Sequence, residues 1–159
     1  MNETVMINAY IVISIIIAAT DMLLAVKSFE KNKTTGRFLG FACMGAAIVD
    51  ISYLISIISD SYMCMAVMSS IYFISIDFML VSLLIFTVYF TKGKFSGYGK
   101  WMVAFCFLYC IYELIVFAVN PFMEIAIEYK QRDTLIAKYS YHMKPLYELH
   151  LIFSYVMVL

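Results

Sequence analysis

Residues 64–90 read CMAVMSSIYFISIDFMLVSLLIFTVYF, an apolar run broken by one charged residue, Asp77. A helix rises ~1.5 Å per residue and a bilayer's hydrocarbon core is ~30 Å thick, so about 20 apolar residues cross it. This run is longer than that and should tilt. Lipid offers backbone N–H and C=O groups no water to bond, so an isolated run of this kind must satisfy them internally, as a helix. Further runs at 5–26, 38–58 and 101–119 are near or above the same length, and a fifth begins near Pro145 and covers 146–159. The expected fold is therefore an all-α membrane protein, a polytopic bundle of four full spans plus a partial fifth, forming a single domain over 1–159. Because LYELHLIFSYVMVL at 146–159 has no polar flank after it, the chain reads as the front part of something longer.

Composition agrees with that frame. Hydrophobic residues make up 64% and charged residues 14% of the chain, with mean hydropathy +0.90; soluble domains are roughly half apolar and a quarter charged. The formal net charge is zero, which gives no electrostatic footprint for nucleic acid. MNETVMINAY at the start has no basic n-region, so the first run reads as a retained helix and not a cleaved signal. The four cysteines, Cys43, Cys64, Cys106 and Cys110, lie in or beside apolar runs without a C-x-x-C pair, as buried small residues do.

Basic residues set the expected orientation. Lys27, Lys31, Lys33 and Arg37 lie in the first loop and Lys92, Lys94 and Lys100 in the third, whereas the second loop, around Asp60, has none. The first and third loops are thus expected in the cytoplasm and the N-terminus outside, with Tyr98 and Trp101 at an interface. The fourth loop, 122–144, carries Lys130, Arg132, Lys138 and Lys144, but also Glu124, Glu128 and Asp133; it is placed outside with the N-terminus. Ile125, Ile127 and Tyr129 alternate there, as do Leu135, Ala137, Tyr139 and Tyr141, the pattern of a small β-hairpin between helices four and five.

Acids lie within the spans and lysines and arginines do not. Asp50 is near the middle of the second, Asp77 near the middle of the third, and Glu113 within the fourth. A charge at the bilayer centre costs at least ~2.5–3.5 kcal/mol, so all three should face the bundle interior. They are the candidate ligand-binding residues, around a polar pocket that accepts a ligand or a proton. The competing structural reading has them bond Ser52, Tyr53, Ser56, Ser75 or Ser82 and fix the packing. Asp21 lies nearer the end of its span. Cys106, Cys110 and Glu113 share a helix face at i, i+4 and i+7, a weak ligand set. His142 and His150, with Glu148, flank the outer end of the fifth run and could titrate or bind a metal near the outer surface; interfacial hydrogen bonding is the preferred reading, so no metal and no cofactor is expected. Gly40, Ala42, Gly45, Ala46 and Ala47 permit close helix approach in the second run. No phosphate-cradling loop, G-x-S-x-G or H-E-x-x-H motif is present, so no catalytic residue and no enzyme activity is expected within the chain.

Four segments in order resemble a known family: VDISYLISI at 49–57, SSIYFISIDFMLVSLLIFTVYFT at 69–91, VNPFMEIAIEY at 119–129 and YHMKPLYELHLIFSYVMVL at 141–159. They are similar to the N-terminal seven-helix sensor region of bacterial histidine kinases, a module also found ahead of GGDEF diguanylate cyclase domains. Met143-Lys144-Pro145 departs from the family's Gly before Pro, and helices six and seven lie outside the chain. The resemblance implies a membrane-embedded signal-input module of the bacterial plasma (inner) membrane, passing a signal to a cytoplasmic kinase or cyclase output domain beyond this chain. It carries no ligand residues over. The partners it implies are the lipid bilayer, a small ligand of unknown identity, that missing output domain, and a second copy of the chain as a homodimer. A small proton or cation transporter or channel subunit using the intramembrane acids, and a purely structural membrane partner, are the alternative classes.

Overall fold

The structure, a computed structural model, describes residues 3–31, 33–94, 97–132 and 138–158. Four long apolar helices follow one another: α1 (Glu3–Glu30), α2 (Thr34–Ile58), α3 (Tyr62–Lys92) and α4 (Gly97–Met123). Each is long and apolar enough to cross a membrane. A two-stranded antiparallel sheet, β1 (Ile127–Gln131) and β2 (Tyr139–Met143), then leads into α5 (Pro145–Val158).

The helices extend beyond the expected runs because polar residues continue a helix past the hydrocarbon edge. The largest difference is in α4. The sequence suggests that Asn120-Pro121 closes the fourth span, yet α4 continues to Met123 with Pro121 inside it. Proline's fixed φ is helical, but it forfeits one hydrogen bond and its ring crowds the carbonyl four residues back; α4 bears this only near its end and stops two residues later, at Met123. It ends at Glu124, whose φ of 48° is left-handed. That conformation is uncommon for a side-chain-bearing residue, and three contacts hold it: Glu124 N–H donates to Asn120 O at 2.8 Å, Lys144 Nζ donates to Glu124 O at 2.5 Å, and the Tyr62 hydroxyl donates to the Glu124 carboxylate.

Ring contacts give the packing order. Phe29 of α1 meets Phe41 of α2, Phe38 of α2 stacks on Tyr89 of α3, and Phe73 of α3 stacks on Phe117 of α4. Each of these helix pairs is antiparallel: Phe29, late in α1, meets Phe41, early in α2, whereas Phe38 and Phe73, in the first halves of α2 and α3, meet residues late in the helix that follows. Close approach of α2 uses its small residues: Gly40, Ala42, Gly45 and Ala47 are buried, and a Cβ on Gly45 would lie 3.1 Å from Met79 Cβ. The interior mixes small polar residues, with Ser52, Ser56, Ser69, Ser70, Ser75 and Ser82 buried, and a core of larger ones that includes Met65, Phe73 and Phe117, while Ile16, Leu23, Phe105 and Leu108 point outward. In lipid the larger core residues are held inside by packing contacts and not by exclusion from water. Ser52 and Ser56 donate to carbonyls of their own helix, Ile48 O and Tyr53 O, which satisfies them without the acids.

The sheet lies at the end of the bundle that also holds the α2–α3 turn. Ile127 and Tyr129 of β1 face inward and are buried, and Lys138 pairs with Asp60 of the turn. β1 and β2 pair from Ile127 with Met143 to Gln131 with Tyr139. The expected hairpin is therefore present between helices four and five; Asp133, Leu135 and Ala137 lie outside the described residues. Asn120, fully buried, fastens it to α4. Its Oδ1 accepts from Ala126 N–H at 2.8 Å and Ile127 N–H at 2.9 Å, and its Nδ2 donates to Ile127 O and the Tyr129 hydroxyl. Burial pushes the Tyr129 phenol above its ordinary pKa, so it stays protonated. α5 then enters the bundle parallel to α3 and antiparallel to α4, with Tyr147 against Phe73 and Phe153 against Tyr109.

Candidate functional site

Three helices each bring one polar side chain to the same buried point. Asp77 lies one turn beyond Phe73 on α3, Glu113 one turn before Phe117 on α4, and His150 three residues beyond Tyr147 on α5. The aromatic residues build a collar. Phe73 and Phe117 stack at 4.9 Å, and both meet the His150 ring edge-on, at centroid distances of 5.4 and 5.1 Å. Tyr147 closes the third side at 5.7 Å. The imidazole is thereby fixed with Nδ1 3.5 Å from Asp77 Oδ2 and 3.3 Å from Glu113 Oε2. No side chain of the three is more than 3% exposed.

Both carboxyl groups and His150 Nδ1 are without a hydrogen-bond partner among the described residues. The N···O separations are longer than the ~2.7–3.2 Å of an N–H···O bond. The hydroxyl of Tyr109, one turn before Glu113, is likewise buried without a hydrogen-bond partner among the described residues, and its ring lies on Phe153 at 3.6 Å. Two carboxylates left bare in such an interior cost many kcal/mol. The arrangement can therefore hold protons or a cation among its oxygens and nitrogen.

Of the residues singled out in the sequence, Asp77 and Glu113 come together and Asp50 stays apart. Asp50 is half-buried on α2, and its acidic neighbour is Asp21 of α1. His150, read from sequence as an interfacial histidine, instead completes the cluster. The signal for it was helical register: starting α5 at Pro145 puts Tyr147, His150, Leu151 and Ser154 along one face. His142 remains exposed on β2 opposite Glu128. The Cys106–Cys110–Glu113 stripe divides: Cys106 turns its Sγ to Met157 Sδ at 3.1 Å, and Cys110 borders an apolar cavity.

Beneath the hairpin lies a cavity of about 180 Å³. Tyr53 and Ser56 of α2, Ser69 and Tyr72 of α3, Tyr141 of β2 and Tyr147 of α5 line it. Ser69 Oγ and the Tyr141 hydroxyl share a hydrogen bond of 3.2 Å across one wall. Phe73 and Tyr147 belong both to this wall and to the collar around His150. The cavity and the buried cluster are thus separated by one layer of aromatic rings.

Compared with known protein families, residues 9–159 match the model of the N-terminal 7TM region of histidine kinase. No curated protein and no solved structure matches the chain.

Proposed function

Because the chain belongs to the family of N-terminal seven-transmembrane regions of histidine kinases, we propose that it is the part of such a kinase that receives a signal, with a small molecule in the cavity beneath the hairpin as the stimulus. The observation that carries this reading is the shared wall: Phe73 and Tyr147 line the cavity and also hold α3 and α5 at His150. A ligand that fills the cavity better in one arrangement of α5 than in another shifts that equilibrium by its differential affinity and no more. The shift passes along α5 to an output domain on the cytoplasmic side. A dry cavity of ~150 Å³ accommodates benzene, so the stimulus is a molecule of about one ring, with a hydroxyl or carboxyl group to meet Ser69, Tyr141 and Tyr53.

The orientation follows from charge. Lys27, Lys31, Lys33 and Arg37 share one end of the bundle with Lys92, Lys94 and Lys100, and the hairpin occupies the other. With basic loops inside, the N-terminus and the hairpin face outward from a bacterial inner membrane, and the cavity is filled from outside.

The test is a thermal-shift screen of the chain in nanodiscs against single-ring compounds bearing one hydroxyl or carboxyl group. Autophosphorylation of the kinase polypeptide is then measured with the best binder. A binder at 100 times its Kd should stabilise the protein by ~2.7 kcal/mol. It should fail to stabilise Ser69→Phe, which fills the cavity, and it should change the phosphorylation rate. Binding that Ser69→Phe leaves intact, or binding without effect on phosphorylation, would overturn the proposal.

A further inference from the structure

We propose that Asp77, Glu113 and His150 are the ligands of a divalent transition-metal ion of the Zn²⁺ type, bound inside the bundle and joining α3, α4 and α5. This inference does not depend on a ligand in the hairpin cavity. Its first support is the donor set. An imidazole nitrogen with two carboxylate oxygens is a Zn²⁺-type combination, and three protein ligands leave a fourth position open for water. Mg²⁺ and Ca²⁺ prefer all-oxygen sites with more donors.

Spacing is the second support. With bonds of ~2.0–2.1 Å, the ligand atoms of a tetrahedral Zn²⁺ site stand about 3.3–3.4 Å apart. His150 Nδ1 stands 3.3 Å from Glu113 Oε2 and 3.5 Å from Asp77 Oδ2. The three donors lie within 4.8 Å of one another. The two separations that involve His150 are long for hydrogen bonds and match edges of such a polyhedron; the two acids must close to the same spacing as they take up the ion.

The third support is burial without partners. All four carboxyl oxygens and His150 Nδ1 are inaccessible and form no hydrogen bond among the described residues. Buried polar atoms are otherwise paired in the great majority of cases. One ion bound through three of these atoms would give each of the three side chains a partner at once.

Charge closes the argument. Two carboxylates balance one divalent cation, and neutral imidazole adds none, so the complex is neutral in surroundings where a net charge is costly. Phe73 and Phe117 hold the His150 ring edge-on and so fix its orientation, the role that surroundings play for metal ligands. One aromatic layer, Phe73 and Tyr147, stands between the site and the hairpin cavity, so entry of the ion requires those rings to move.

The test uses the full chain in nanodiscs, stripped with chelator and titrated calorimetrically with ZnCl2, with MgCl2 as the contrast. One Zn²⁺ per chain is expected, with no comparable heat from MgCl2. Asp77→Asn and Glu113→Gln should each weaken Zn²⁺ binding at least about 100-fold, the upper range for losing even an outer-sphere partner. His142→Ala, on the exposed strand, should leave binding unchanged. X-ray absorption of the Zn²⁺-loaded wild type, which needs no variant to fold, should show one imidazole and oxygen donors with no sulfur. The proposal fails if the wild type takes up no Zn²⁺, if the acid variants bind as tightly as wild type, if His142→Ala removes the binding, or if sulfur appears in the coordination shell.

Discussion

Replacing Asn120 with leucine should detach the hairpin from the bundle. Leucine keeps asparagine's branched skeleton but is bulkier, so the change removes polar contacts, leaves no cavity and can only add crowding at a fully buried site. Asn120 Oδ1 is the acceptor for Ala126 N–H and Ile127 N–H at 2.8 and 2.9 Å, and both residues are 0% exposed. Leucine would leave two buried donors unmet, at ~1–3 kcal/mol each, for a total of about 2–6 kcal/mol. The backbone bond from Glu124 N–H to Asn120 O does not depend on the side chain and should survive, so the effect is confined to the chain after it. Cleavage by trypsin after Lys130 is the assay, because Lys130 sits on β1 paired with Ser140 and must leave the strand to be cut. Where opening is fast relative to cleavage, the rate follows the population of the open form. With tenfold per 1.4 kcal/mol, the variant in nanodiscs should be cut roughly 30-fold to 10⁴-fold faster than wild type. An acceleration below about threefold, equivalent to well under 1 kcal/mol, would show that the hairpin is held by other contacts and refute the role given to Asn120.

Three further outcomes are expected. Gly45→Val adds atoms where a Cβ alone would stand 3.1 Å from Met79 Cβ and 3.2 Å from its Cα; overpacking should cost ~1–3 kcal/mol, seen as a lowered melting temperature in micelles. A melting temperature equal to that of wild type would mean that α2 and α3 separate freely. Tyr62→Phe removes the donor to the Glu124 carboxylate and should destabilise the left-handed turn by ~1.5–3 kcal/mol, read as faster hydrogen exchange at the Ala126 and Ile127 amides; unchanged exchange there would count against that contact. The ion pair between Lys138 and Asp60 has the Asp60 side chain 79% exposed, so a double-mutant cycle with Lys138→Gln and Asp60→Asn should give a coupling of only ~0.2–1 kcal/mol. A larger, salt-insensitive coupling would contradict its surface character.

The spans were legible in the sequence because lipid removes the alternatives: an apolar run such as 64–90 has no other way to satisfy its backbone. The inward direction of Asp77 and Glu113 was legible for the same reason, from the cost of turning a charge toward lipid. Their distance from Asp50 was not. An acid's depth within a run does not reveal the rotation of its helix about its axis, and that rotation puts Asp50 beside α1 while α3 carries Asp77 to α4. Alternation of Ile127 and Tyr129 announced β1, because one face of the hairpin is buried. The extension of α4 past Pro121 was hidden, since it rests on how Asn120 of α4, Tyr62 of α3 and Lys144, between β2 and α5, converge on Glu124. His150 was misplaced for a related reason. Position in the sequence put it near an interface, whereas docking of α5 between α3 and α4 takes it to a point that is 2% exposed.

The closeness of cavity and cluster has a thermodynamic consequence that joins the two proposals. Phe73 and Tyr147 belong to both, so a ligand that moves Tyr147 also changes the setting of His150 Nδ1 against the two acids. Linkage makes such an effect reciprocal: if a cavity ligand alters Zn²⁺ affinity by some factor, Zn²⁺ must alter the affinity for that ligand by the same factor. Couplings of this kind are typically ~1–3 kcal/mol, or 5–150-fold. The sign depends on which arrangement of α5 the metal stabilises. By joining α5 to α3 and α4, a metal favours the docked arrangement described here, in which the cavity is about 180 Å³. A ligand that fits this cavity as it stands should bind more tightly with Zn²⁺ present, and one that must push Tyr147 aside should bind more weakly. The two kinds of stimulus are thus told apart by repeating a single binding titration with and without chelator.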